Sequence, residues 1–75
     1  MSAQTEDPIA VGREALRSGD AAGARLAFEA ALVATSRRGD ALEGLARAAY
    51  IELDFTAAIA RWNEAYAAHR AADDQ

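Results

Sequence analysis

Residues 42–66, LEGLARAAYIELDFTAAIARWNEAY, decide the fold: they read as one helix, a tight turn at Asp54, and a second helix bearing the single tryptophan. Moved back by 34 residues, the segment meets its own pattern. Leu45 falls on Val11, Ala46 on Gly12, Ala49 on Ala15, Asp54 on Asp20, Ala58 on Ala24, Trp62 on Phe28 and Ala65 on Ala31. Agreement in side-chain size at one fixed offset, with no insertion between matched positions, marks a helical repeat. Two copies fill the chain, so the expected fold is all-α, four helices in two antiparallel helix-turn-helix units.

Composition agrees with that reading. Of 75 residues, 22 are alanine, while Val, Ile, Leu, Met, Phe, Trp and Tyr together supply 17. Alanine favours helix and lets backbones approach closely, so the expected core is thin and helical rather than sheet-based. A chain of this length buries only about 60% of its unfolded surface, and it is marginal unless packing is tight or chains associate. The formal charge is −4, and all 8 basic residues are arginine. Nucleic-acid binders gather excess positive charge on one face, so no direct nucleic-acid partner is expected. The chain has no cysteine and hence no disulfide or thiolate chemistry, which suits the cytoplasm. It carries no long apolar run and no secretion-signal pattern, so no membrane partner is expected.

Along the chain, residues 1–6 are small and polar and read as a disordered tail. Asp7 with Pro8 opens the first helix, about 8–18, which Gly19 ends. Asp20 caps a second helix, about 21–34. Residues 35–39 form a connector, with Arg37 and Arg38 near the carbonyl end of the second helix. Asp40 with Glu43 resembles a capping box opening a third helix, about 41–52, and Asp54 caps a fourth, about 55–71. Residues 72–75 read as a second tail.

The residues now placed resemble the tetratricopeptide repeat, a 34-residue helix-turn-helix unit. In the second copy, about 39–71, Leu42, Leu45, Ala46, Ala49, Ala58, Trp62 and Ala65 occupy that family's large, large, small, large, small, aromatic and small slots, Ala49 being smaller than usual. In the first copy, about 7–38, Val11, Gly12, Ala15, Ala24, Phe28 and Ala31 do the same. Pro8 departs from the pattern, Ser36 replaces an expected proline, and Leu53 stands where the turn normally has glycine; a left-handed Leu53 is strained by about 1 kcal/mol unless the turn is remodelled. The resemblance implies an α-solenoid whose first helices line a concave, protein-binding face. The segment 40–75 is similar, more narrowly, to helical repeats of bacterial LuxR-type multidomain regulators, which implies a part in a larger regulatory protein.

On the implied concave face lie Arg13 and Arg17 from the first copy, with Glu43, Arg47 and Tyr50 from the second; Ile9, Leu16, Gly44 and Ile51 accompany them. Arg13 and Arg47 are 34 apart, so two guanidinium groups would point the same way and hold a carboxylate of an acidic peptide or a peptide C-terminus by charge-assisted hydrogen bonds. The plainer alternative is that Glu43 and Arg47, four apart, pair on a solvated face. Phe55, Ile59, Trp62, Tyr66 and His69 form a stripe along the fourth helix. Phe55, Ile59 and Tyr66 would face the first helix of a following repeat, so the stripe points to self-association as a homodimer or to a capping helix downstream, unless it folds into its own core.

No catalytic role is expected. Ser18, Thr35, Ser36 and Thr56 have no base at recognisable spacing, and no glycine-rich phosphate loop occurs. His69 is the single histidine, and helix-end polarity explains it better than a metal, because the sequence alone sets no second histidine or carboxylate beside it. No metal and no cofactor are expected.

Overall fold

Asp7 starts the first helix with a side-chain oxygen that accepts from the Ile9 N–H at 3.0 Å, and Pro8 takes the first helical position. The computed structural model describes residues 7–34 and 36–73. They form α1 (Pro8–Arg17), α2 (Ala21–Ala34), α3 (Arg38–Ile51) and α4 (Phe55–Asp73), with no strand among the described residues. The expected tail at 1–6 and the connector residue Thr35 lie outside the described residues, as do Asp74 and Gln75.

The two turns inside the helix pairs repeat one another bond for bond. Asp20 N–H reaches Ala15 C=O at 2.8 Å and Gly19 N–H reaches Leu16 C=O at 3.0 Å; Asp54 N–H reaches Ala49 C=O at 2.9 Å and Leu53 N–H reaches Tyr50 C=O at 3.0 Å. This six-to-one and five-to-two pattern closes a helix end when the residue after the cap is left-handed. Gly19 has φ 81° and Leu53 has φ 64°, so Leu53 keeps the glycine conformation rather than remodelling the turn. Each turn then hands over to an aspartate. Asp20 accepts from Gly23 N–H at 2.9 Å and Asp54 from Ala57 N–H at 3.2 Å.

Boundaries differ from the sequence reading at four places. The third helix begins at Arg38, not Ala41, so Asp40 lies within its first turn and does not cap it, and the expected capping box is absent. The cause is electrostatic and steric. Arg37 Nε donates to Asp40 Oδ2 at 3.2 Å and Arg37 Nη1 to Asp7 Oδ2 at 3.0 Å, so the arginine expected at the end of α2 ties α1 to α3 instead. Gly39 is buried in the same turn. The first and third helices each end one residue earlier than expected, with Ser18 and Glu52 as C-caps. The fourth helix runs on to Asp73 and takes in Ala72 and Asp73 from the expected tail.

The third helix is central: it touches α1, α2 and α4, whereas α4 touches α3 alone among the described residues. The body measures 37 × 34 × 17 Å, thin enough for helices lying two deep at ordinary spacings of about 8–10 Å. Its core is built of Ala24, Ala31, Ala41, Ala48 and Ala65 around three large, fully buried side chains, Ile9, Phe28 and Leu42. Phe28 joins three helices. Its ring lies so close over Gly12 of α1 and Gly44 of α3 that a β-carbon on either would come within 2.4–2.8 Å of ring atoms. Outside the core, Arg25 Nη1 donates to both carboxylate oxygens of Glu52 at 2.6 and 2.7 Å and ties α2 to the end of α3. Those hydrogen bonds, and then the charge of Glu52, raise the Arg25 pKa above its ordinary value.

Candidate functional site

Because α1 and α3 pack side by side, their outward residues line a surface groove of about 440 Å³ formed by Arg13, Leu16, Arg17, Phe28, Asp40, Glu43, Gly44 and Arg47. A second depression of about 440 Å³ adjoins it through the shared residues Leu16 and Arg47, and is walled by Tyr50, Ile51 and Trp62. Arg13, Arg17, Glu43 and Arg47 therefore line the first groove, and Tyr50 the second. The floor is Phe28, whose ring is 1% exposed and lies against both glycines, a feature hidden in the sequence because Gly12 and Gly44 occur 32 apart rather than at the repeat interval.

The arginines differ in how far they are engaged. Arg47 Nη2 donates to Glu43 Oε2 at 3.3 Å, the surface pair that the four-residue spacing allows. Arg17 pairs with Glu14 on α1. Arg13 makes no ion pair among the described residues and stands exposed at the groove. Exposed pairs of this kind contribute about 0.3–0.5 kcal/mol and exchange readily for another carboxylate. The groove thus offers one uncommitted guanidinium and two weakly held ones, beside an apolar depression. Arg37, which pairs elsewhere, is not part of it.

On α4 the expected stripe is exposed along its whole length. Phe55, Ile59 and Tyr66 are exposed, and Trp62 retains 38% exposure against 1% for its repeat counterpart Phe28. Tyr50 partly covers the stripe, its ring centroid 5.4 Å from that of Phe55 and 6.0 Å from that of Trp62. The stripe therefore does not fold wholly into the core. Arg70 Nη1 donates to the Tyr66 hydroxyl at 3.4 Å, with the guanidinium 5.8 Å from the ring centre. Among the described residues no buried side-chain polar atom lacks a hydrogen-bond partner, and no helix is long and apolar enough to cross a membrane.

One cluster escaped the sequence reading. Asp40, Glu43 and His69 come together where the first two turns of α3 meet the later part of α4; His69 Nε2 lies 3.8 Å from Glu43 Oε1. The imidazole rests on Gly39, where a β-carbon would fall 2.6–2.9 Å from its ring atoms. Twenty-six residues of sequence separate Glu43 from His69, and no short-range spacing signals the contact. No family model, curated protein or solved structure matches the chain.

Proposed function

We infer that the chain is a protein-interaction module that holds an extended acidic segment, or a peptide C-terminus, in the groove between α1 and α3. The observation that carries this reading is the convergence of Arg13, Arg17 and Arg47 on one groove beside an apolar depression, with Arg13 uncommitted to any ion pair among the described residues. Arg47 can exchange Glu43 for a ligand carboxylate at little cost, and Tyr50 with Trp62 offers a wall for a neighbouring apolar side chain. The resemblance to tetratricopeptide repeats, with the α-solenoid stacking it implies, points the same way. In its narrower form it suggests a place within a cytoplasmic bacterial regulator. Titration of acidic peptides against the wild type and Arg13→Ala/Arg47→Ala tests the reading: the double variant is expected to bind at least about tenfold more weakly. Equal affinity refutes it.

A second reading has its own support in the exposed side chains of Phe55, Ile59 and Tyr66 beside Trp62, which is a structural homodimerisation surface. Each such side chain can bury on the order of 150–250 Å², so one helix face is enough to drive association. Alanine at Ile59 and Tyr66 separates the two readings. A dimerisation element loses assembly in sedimentation, whereas a peptide binder keeps its ligand.

A further inference from the structure

Three ligand-forming side chains meet at the α3–α4 seam. One donor atom each of Asp40, Glu43 and His69 lies within 4.8 Å of the other two. Asp40 and Glu43, three apart on α3, share a helix face, and His69 approaches them from α4 with its ring seated on Gly39. A side chain at position 39 would lift the imidazole away, so the glycine sets where the ring lies. Each carboxylate already has a guanidinium partner: Arg37 Nε donates to Asp40 Oδ2, and Arg47 Nη2 to Glu43 Oε2, leaving Glu43 Oε1 turned toward His69.

We propose that Asp40, Glu43 and His69 form a three-ligand site for a divalent transition-metal ion, of which Zn²⁺ is the type, joining α3 to α4 and leaving a coordination position for water. One imidazole nitrogen with two carboxylate oxygens suits Zn²⁺, whose bonds to such ligands are about 2.0–2.2 Å long. Tetrahedral ligands at that radius sit about 3.3 Å apart, so the donor atoms must draw in by an ångström or so. Asp40 and Glu43 are half-buried and His69 is exposed, so the side chains have room to draw in by rotamer adjustment. Mg²⁺ and Ca²⁺ fit poorly, because they require six or more oxygen ligands and gain little from imidazole. The two carboxylates offset the charge of the ion, while Arg37 and Arg47 hold affinity below that of a closed structural site.

The site joins α3 to α4, which touches no other helix among the described residues, and an ion bound there raises stability by mass action. The test is thermal unfolding of the full chain with Zn²⁺ at about 100 μM and with Mg²⁺ at the same level, together with Co²⁺ titration followed by visible absorption. The expected result is a midpoint raised by several degrees with Zn²⁺ and not with Mg²⁺, with cobalt bands of a mixed nitrogen and oxygen site. His69→Gln and Glu43→Gln, both exposed or half-buried positions outside the core, are expected to weaken Zn²⁺ binding at least about tenfold while leaving the metal-free midpoint within a degree or two. No Zn²⁺ shift in the wild type, or equal Zn²⁺ affinity in wild type and His69→Gln, overturns the proposal.

Discussion

Replacing Gly44 with alanine tests the packing on which the groove rests, because two ordinary expectations for it have opposite signs. In an exposed helix interior, Gly→Ala gains about 1 kcal/mol. At position 44 the new β-carbon would fall 2.4 Å from the Phe28 ring atoms Cε1 and Cζ, about 1 Å inside ordinary van der Waals contact. The ring has no open side to move into: it is 1% exposed, and the same ring tip lies against Gly12 of α1. Relief must come from parting α1 and α3 or from forcing Phe28 off its rotamer, and such overpacking costs about 1–3 kcal/mol. The two effects leave a net loss of about 1 kcal/mol, which for a chain of this size lowers the unfolding midpoint by about 4–8 °C.

A double-mutant cycle isolates the cause. Valine at position 28 ends at its γ-carbons and so lacks all three ring atoms, Cδ1, Cε1 and Cζ, that meet the new β-carbon, and Phe28→Val by itself costs about 2–4 kcal/mol. In that background Gly44→Ala is expected to stabilise by about 1 kcal/mol, giving a coupling of about 2 kcal/mol between the sites. Urea unfolding followed by far-ultraviolet circular dichroism measures all four species. If Gly44→Ala stabilises the wild type, or shifts both backgrounds equally, Phe28 is not wedged and the floor of the groove has been misread.

The turn at Leu53 gives a second sign test. The left-handed conformation costs a leucine about 1–2 kcal/mol, and glycine gives back about 0.5–1 kcal/mol in chain entropy, so Leu53→Gly is expected to gain about 0.5 kcal/mol and Gly19→Ala to lose about 1 kcal/mol. Opposite shifts in urea midpoint at constant slope support this, and destabilisation by Leu53→Gly contradicts it. Asp20→Ala and Asp54→Ala each remove a side-chain cap and are expected to cost about 1 kcal/mol by thermal unfolding. Ile59→Ala/Tyr66→Ala is expected to abolish any self-association seen by sedimentation at low micromolar concentration while leaving helicity unchanged, since both side chains are exposed.

Helix number, turn positions and most of the alanine core were legible because they depend on local chemistry that recurs at the repeat interval. Asp20 and Asp54 cap, Gly19 and Leu53 turn, and Ala24 with Ala58 or Ala31 with Ala65 are buried, each pair alike. The start of α3 was not legible, because the capping chemistry of Asp40 loses to a longer-range competitor: Arg37 holds Asp40 and Asp7 together, a contact spanning 30 residues. Likewise nothing local joins His69 to Asp40 and Glu43, or tells that Gly12 and Gly44 are the seat of one ring rather than two weak points in helices. The groove residues were nameable for a different reason. Arg13, Arg17 and Arg47 follow from register once the helices are placed, whereas which of them is engaged depends on neighbours three and four residues away, Glu14 for Arg17 and Glu43 for Arg47.

Two matched pairs break the likeness, and the direction of the break carries an argument about the exposed stripe. Leu45 is 4% exposed where Val11 is 37%, and Phe28 is 1% exposed where Trp62 is 38%. In both pairs the buried member has a helix on a side where its counterpart has none among the described residues: α3 is flanked by α1, α2 and α4 while α1 meets only α2 and α3, and α2 lies between α1 and α3 while α4 meets α3 alone. The exposure of Trp62 is thus set by the absence of a neighbour and not by the residue, since the same slot one repeat earlier buries an aromatic ring completely. A cover for α4 would have to reproduce what α3 does for Phe28, presenting a residue as small as Gly44 over the indole so that the backbone can come down onto the ring. Trp62 fluorescence reports this directly: association through α4 is expected to shift its emission to shorter wavelength with rising protein concentration, and Ile59→Ala/Tyr66→Ala to hold it at the dilute value. An emission maximum independent of concentration up to the sedimentation-defined dimer range would place the association elsewhere on the surface.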